Sequence, residues 1–188
     1  MADDLLLAPA RLLRDAPDRL LHPVRRSAAR RALRARGRPR NVVVVCHGNI
    51  CRSPFAAGLL ANALESRGTL VTSAGFIGPG RHPPAEAGIA AARWGVDLTN
   101  HRSQLLTPVL AREADLIVVM EPGQHRTVCE RFGRAPKSVI VLGDLDPFPI
   151  ETRAMQDPVD QPLEAFEASY ARIERCVYEL LVTLRRAA

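Results

Sequence analysis

From residue 41 onward the chain repeats one pattern. Short, almost continuously apolar runs alternate with longer stretches in which apolar and polar residues mix at helical spacing. The runs are NVVVVC (41–46), LVTSA (70–74), DLIVVM (115–120) and SVIVLG (138–143). A strand with one wet face alternates polar and apolar residues. A run apolar at nearly every position suits a strand covered on both faces, as in a parallel sheet between two helical layers. Helices are predicted over Pro54–Arg67, Ala85–Trp94, Pro122–Phe132 and Pro162–Leu184. Strand and helix in alternation give an α/β fold, a doubly wound four-stranded parallel sheet with helices on both faces. Ligands of such sheets sit beyond the carboxyl ends of the strands. Cys46 is the residue that ends the first one.

Residues 1–40 follow a different rule. Leu5, Leu6, Leu12, Leu13, Leu20 and Leu21 recur at roughly helical spacing, but Pro9, Pro17 and Pro23 interrupt them. The chain thus divides into an extension over 1–40, partly helical or disordered, and one domain over 41–188. Charge divides the same way. The chain carries a formal +6. The extension holds 11 arginines against 4 aspartates, and the domain has 15 basic and 16 acidic residues. A nucleic-acid partner is therefore not expected, since the basicity is absent from the domain. Two readings of the extension stand: a mobile, partly helical tail, or an arm that docks on an acidic partner or an anionic membrane surface.

No apolar run reaches the ~18 residues of a membrane span, and none resembles a signal-peptide core. Four cysteines (Cys46, Cys51, Cys129 and Cys176) are too few for a disulfide scaffold, so a cytoplasmic setting is expected.

The chemistry is concentrated in VVVVCHGNICRSP, residues 42–54. Ser53 and Pro54 read as a helix start, an N-cap followed by proline at the first helical position. Cys46–Arg52 is then a tight loop between a strand end and a helix N-terminus. Such a loop turns backbone N–H groups inward and adds the helix dipole, which makes an anion site. Gly48 permits the tight turn. Arg52 offers a planar fork of donors suited to two oxygens of a phosphate. The same surroundings should stabilise Cys46 as a thiolate, a nucleophile facing the bound anion. Ser53 can add a hydroxyl donor to that sulfur. A zinc site fits poorly without a second Cys/His pair, and a nucleotide-binding loop would need Gly-Lys-Ser/Thr.

CHGNICRSP resembles the signature of the low-molecular-weight protein tyrosine phosphatases, Cys-x5-Arg-Ser with Gly-Asn-x-Cys inside it and proline after. SAG (73–75), GVDLTNHRSQLLT (95–107), DLIVVME (115–121) and Asp157-Pro158 before the terminal helix fall in the same order, so the resemblance spans about 41–184. It implies hydrolysis of phosphotyrosine in a protein substrate through a cysteinyl-phosphate, with no cofactor and no metal. Cys46 would be the nucleophile and Arg52 the phosphate holder, with His47, Gly48, Asn49, Ile50, Cys51 and Ser53 completing the loop. The leaving phenolate needs a proton. Asp146, Asp157 and Asp160 are the candidate acids, and the family pattern selects Asp157. An apolar, crowded loop would favour its protonated form. The resemblance also implies that Asn49 holds the loop's shape with Ser73 and His101. It implies for Cys51 either a reversible disulfide that protects the nucleophile or packing alone.

The sequence departs from the family at His47, where a small or aliphatic residue is usual, and at Val159, where an aromatic is common. Phe76, Ile77 and Val159 would form an aliphatic-leaning wall, nearer the bacterial capsule-regulating subgroup. Ile50 replaces the threonine of protein-arginine phosphatases. Two other functions share these features. An arsenate reductase of the same fold needs a cysteine relay, for which only Cys129 and Cys176 remain. A phosphate-binding module without turnover would use the loop for recognition and the basic arm for recruitment.

Overall fold

The computed structural model describes the backbone of residues 3–64, 66 and 68–185, with side chains in those ranges from Asp18 onward. Four strands, β1 (Asn41–Val45), β2 (Leu70–Ala74), β3 (Leu116–Val119) and β4 (Val139–Val141), form one sheet in the order β2-β1-β3-β4. Every pairing is parallel, with Val44 opposite Ser73 on one side and Val118 on the other. The apolar runs are buried on both faces, as their composition requires. Val42, Val44, Leu116, Val118 and Ile140 pack into one core with residues of the helices α2 (Arg52–Leu64), α3 (Ala85–Ala92) and α6 (Leu163–Arg185). Val43, Val45, Ile117, Val119, Val139 and Val141 pack on the opposite face with Ala111 of α4 (Pro108–Glu113) and Val128 of α5 (Pro122–Phe132).

The larger core supports the cysteine loop from below. Phe55 of α2 stacks on Tyr170 of α6, ring centroids 3.9 Å apart and planes 4° from parallel, and Trp94 meets Phe55 edge-on at 5.6 Å. The Tyr170 hydroxyl, buried with its rings, donates to the Cys51 carbonyl at 3.1 Å. This aromatic cluster ties the end of the loop to the terminal helix.

Three elements differ from the sequence expectation. Helix α2 begins at Arg52, so Ser53 lies inside the first turn and its hydroxyl is free for the loop. Helix α4 was not legible, because six residues offer little periodicity; Thr107 caps it by accepting from Leu110 N. The third is the extension. Its backbone is helical as α1 (Asp3–Arg36), through Pro9, Pro17 and Pro23. From Asp18 on the mobile tail gives way to a docked helix. Leu20 and Leu21 remain exposed, while His22, Ala29 and Leu33 are buried against the domain. The side chains of Leu5, Leu6, Leu12 and Leu13 lie outside the described residues. Arg26 pairs with Glu179 of α6 at 2.6 Å, and Arg36 donates to the carbonyls of Asp115 and Lys137. Tertiary packing of this kind overrides the cost of a proline in a helix. No helix among the described residues is long and apolar enough to cross a membrane.

Candidate active site

The strand order reverses at β1, with β2 on one side and β3 on the other, and the site lies at the carboxyl ends of β1 and β3. The loop after β1 carries Cys46. Met120 and Glu121 follow β3. Two hydrogen bonds converge on the Cys46 sulfur: Asn49 N donates at 3.2 Å, and the Ser53 hydroxyl lies at 3.0 Å. Ser53 Oγ already accepts from Asn49 Nδ2 at 2.9 Å, so its own hydrogen is left for Cys46 Sγ or for the Ala74 carbonyl at 3.4 Å. Both donors are placed to stabilise negative charge on sulfur.

Asn49 is the hub of the loop. It is fully buried and left-handed at φ 52°, a conformation that asparagine tolerates better than most residues. Its Nδ2 also donates to Ser73 Oγ at 2.8 Å, its Oδ1 accepts from Gln104 N at 2.9 Å, and its carbonyl accepts from His101 Nε2 at 2.8 Å. Ser73 and His101 both reach Asn49, but His101 grips the backbone and Gln104 takes the side-chain oxygen. Gln104 is a contact the sequence reading missed.

Arg52 is 1% exposed. Its guanidinium donates to Glu121 Oε1 at 2.6 Å, to the Met155 carbonyl at 2.9 Å and to Asp157 Oδ2. Its Nε, also buried, has no partner among the described residues. A cavity of ≈160 Å³ opens here, lined by Cys46, His47, Gly48, Ile50, Cys51, Arg52, Ile77, Arg81, Asp157 and Val159. The structure thus brings the nucleophile candidate, the arginine and one of three aspartates into one small space. Asp146 is fully buried and fixed by Arg172 and Arg175 away from the cavity, and Asp160 is an exposed turn residue at φ 61°. Asp157 is not in the apolar, crowded setting expected for it: its side chain is 42% exposed and paired with Arg52.

The wall of the cavity is also partly redrawn. Ile77 and Val159 line it, whereas Phe76 packs on the second core. Arg81 takes a place on the rim, donating to the carbonyls of Gly48 and Gly78 at 2.8 and 3.0 Å. Only its position in a Gly-Pro-rich loop hinted at it. His47 is exposed at the edge of the cavity, and its carbonyl accepts from Phe76 N at 2.8 Å. Cys51 is buried beneath the loop. Burial pushes its thiol far up, and Cys46 and Asp157 push it further, so Cys51 stays protonated.

Residues 41–188 match the family model of the low molecular weight phosphotyrosine protein phosphatases. The chain belongs to this family. It is 39% identical over 139 residues to a probable low molecular weight protein-tyrosine-phosphatase, EpsP, of Ralstonia solanacearum, covering 73% of this chain and 91% of the relative. The crystal structure of the Erwinia amylovora tyrosine phosphatase AmsI superposes with a TM-score of 0.69 at 32% identity, over 77% of this chain and 93% of that one. The arginine phosphatase YwlE of Geobacillus stearothermophilus reaches a TM-score of 0.68 at 27% identity, over 79% and 94%. This phosphatase is therefore a phosphoric monoester hydrolase with the α/β architecture of its family, and helix α1 lies outside the family match.

Proposed function

We propose that this phosphatase hydrolyses phosphotyrosine in proteins, with Cys46 as nucleophile, Arg52 as phosphate holder and Asp157 as general acid and base. The observation that carries the reading is the shared cavity, in which a sulfur with two aligned donors faces a buried guanidinium and a reachable carboxyl. The phosphoryl group lies in the loop against the inward N–H groups and Arg52. Cys46 thiolate attacks phosphorus, the P–O bond to tyrosine breaks, and protonated Asp157 delivers its proton to the departing phenolic oxygen. Asp157, now a carboxylate, accepts a proton from water as that water attacks phosphorus. The P–S bond breaks, and the returning thiolate is met by Ser53 Oγ–H and Asn49 N–H. Before substrate binds, Arg52 is shared by Glu121 and Asp157. A phosphate dianion arriving on the same guanidinium competes with both carboxylates for Arg52, which frees Asp157 to turn toward the leaving oxygen.

The rim supports an aryl phosphate better than phosphoarginine. Ile50, Ile77 and Val159 give an apolar collar for a phenyl ring, with Arg81 as the one added cation. A cysteine relay for arsenate reduction finds no support in the placement of the other thiols: Cys176 is fully buried on the core face of α6 and Cys129 sits on α5 beside His125. The chemistry of a thiolate nucleophile suits the reducing cytoplasm.

The test is hydrolysis of an aryl phosphate and of a phosphotyrosine peptide by the wild type, Cys46→Ser, Arg52→Ala and Asp157→Ala. Cys46→Ser should be inactive on both. Asp157→Ala should lose ~10²–10³-fold on the peptide, the usual scale for a general acid. Turnover that survives Cys46→Ser would overturn the mechanism, and an unchanged Asp157→Ala would remove the acid from that position.

A further inference from the structure

The loop that carries Asp157 is held from behind by a chain of contacts that reaches the N-terminal extension. Its backbone is pinned on the domain side at four residues: Arg172 donates to the carbonyls of Thr152 and Ala154 at 2.7 and 2.9 Å, Met155 N donates to the Met120 carbonyl at 2.9 Å, and Ser169 Oγ donates to the Gln156 carbonyl at 2.9 Å. Arg172 is itself oriented by Asp146 at 3.0 Å, and Asp146 is shared with Arg175. Two further contacts come from α1. Asp18 Oδ2 accepts from Arg153 N at 3.1 Å, and His22 Nε2 donates to the Asp146 carbonyl at 2.9 Å. Arg153 is fixed as well by a two-pronged pair with Asp144 at 2.7 Å. Around Gly143 the packing is tight enough that a Cβ would lie 2.1 Å from the Arg153 carbonyl.

His22 is 5% exposed, so its hydrogen bond is made in a dry setting where it is strong and costly to leave unmade. Asp18 fixes the chain four residues before Asp157, and His22 fixes the start of the same loop. Both belong to a helix that the family match does not include. A segment docked only for solubility or recruitment would have no reason to place its buried histidine and its acid on the ends of the general-acid loop.

We propose that α1 is an intramolecular brace for this loop, in which Asp18 and His22 are positioning residues that set the reach of Asp157 to the leaving oxygen. The proposal rests on the assignment of Asp157 as the acid. Neither residue touches substrate. Each acts through the backbone of 146–157, and Arg153, Asp146 and Arg172 transmit the restraint. Asp157 acts as acid in the first step and as base in the second, and only the first involves the leaving group. A loosened brace leaves nucleophilic attack intact and weakens proton delivery, which kcat/KM reports apart from the later hydrolysis.

Leaving-group dependence isolates that event. 4-Nitrophenolate departs with little help from an acid, whereas phenolate and tyrosine depend on it. In the full-length chain, His22→Ala and Asp18→Ala should keep kcat/KM for 4-nitrophenyl phosphate within about twofold and lose about five- to tenfold in kcat/KM for phenyl phosphate, a fraction of the general-acid effect. His22→Gln, which retains an N–H donor, should recover most of the loss. In an Asp157→Ala background, His22→Ala should have no further effect on the ratio of the two rates. Equal losses on both substrates, an unchanged phenyl phosphate rate, or a full additional loss without Asp157 would each overturn the brace. If Asp157→Ala alone leaves the ratio unchanged, it is the acid assignment that fails, a result separate from the others. Should His22→Ala not fold, Asp18→Ala, which removes the acceptor at a part-exposed site, carries the same test.

Discussion

The sulfur of Cys46 depends on two neighbours that do unequal work. Asn49 fixes geometry: it holds left-handed backbone, sends its N–H to sulfur and spends its amide on Ser53, Ser73 and Gln104. Ser53 supplies a mobile proton donor, and its effect belongs to the second step, when thiolate must leave phosphorus. Ser53→Ala should therefore preserve a fast burst of phenol equal to the enzyme concentration and slow the steady state by about tenfold, the loss of one charge-assisted hydrogen bond. Rapid-mixing kinetics with 4-nitrophenyl phosphate checks this, and loss of the burst would place Ser53 in the first step. Asn49→Ala should differ in kind. It leaves alanine in left-handed backbone and strips partners from two buried hydroxyls, so a stability loss of about 2–4 kcal/mol in urea denaturation should accompany the fall in activity.

Between β2 and the cysteine loop the approach is closer than any side chain allows. A Cβ at Gly75 would lie 2.8 Å from the His47 carbonyl and 2.9 Å from Asn49 N, both backbone atoms of the loop. Gly75→Ala should push the loop out of register with Arg52 and weaken competitive inhibition by inorganic phosphate at least about tenfold, while the sheet beneath holds. Unaltered phosphate inhibition would mean that the loop can yield without losing its shape. The glycine of SAG was visible in the sequence, although its reason was not. The same holds more widely. The apolar runs made the four strands legible because burial on both faces leaves no polar positions, and the loop spacing placed Cys46, Arg52 and Ser53. What stayed hidden depended on contacts between distant segments. Gln104 and Arg81 reach the loop through folds of the chain that no local period records. Helix α1 continues past Pro23 because contacts of its neighbours with the domain compensate for the lost hydrogen bond. Asp146 and Asp157 sit before proline alike; the family pattern favoured Asp157, and the fold makes Asp146 a buried anchor while Asp157 lines the cavity.

That buried anchor joins the parts of the molecule. Asp146 receives Arg172 and Arg175 from α6, its carbonyl receives His22 from α1, and Arg172 passes on to the acid loop. Burial alone would push its carboxyl up. The hydrogen bonds from Arg175 and Arg172, with Phe148 N, outweigh it and hold the group below the usual carboxylate range. A carboxyl held low in the fold binds a proton more readily in the unfolded chain. Its stabilising contribution is complete above the unfolded value of ~3.9 and is lost as pH falls through the folded one. Asp146→Asn leaves two arginines facing a neutral amide and should cost about 3 kcal/mol near neutrality, as expected when one member of a buried ion cluster is removed. Urea denaturation of wild type and variant across a pH series should show that gap unchanged down to about pH 4 and narrowing below it, because the wild type then loses what the variant never had. A gap that stays constant to about pH 2 would mean that Asp146 binds its proton equally well in the folded and the unfolded chain, so that the arginines do not hold it low. A gap that narrows would instead show that the charge of one buried carboxylate, set where α1, α6 and the loop before Asp157 meet, stabilises the fold.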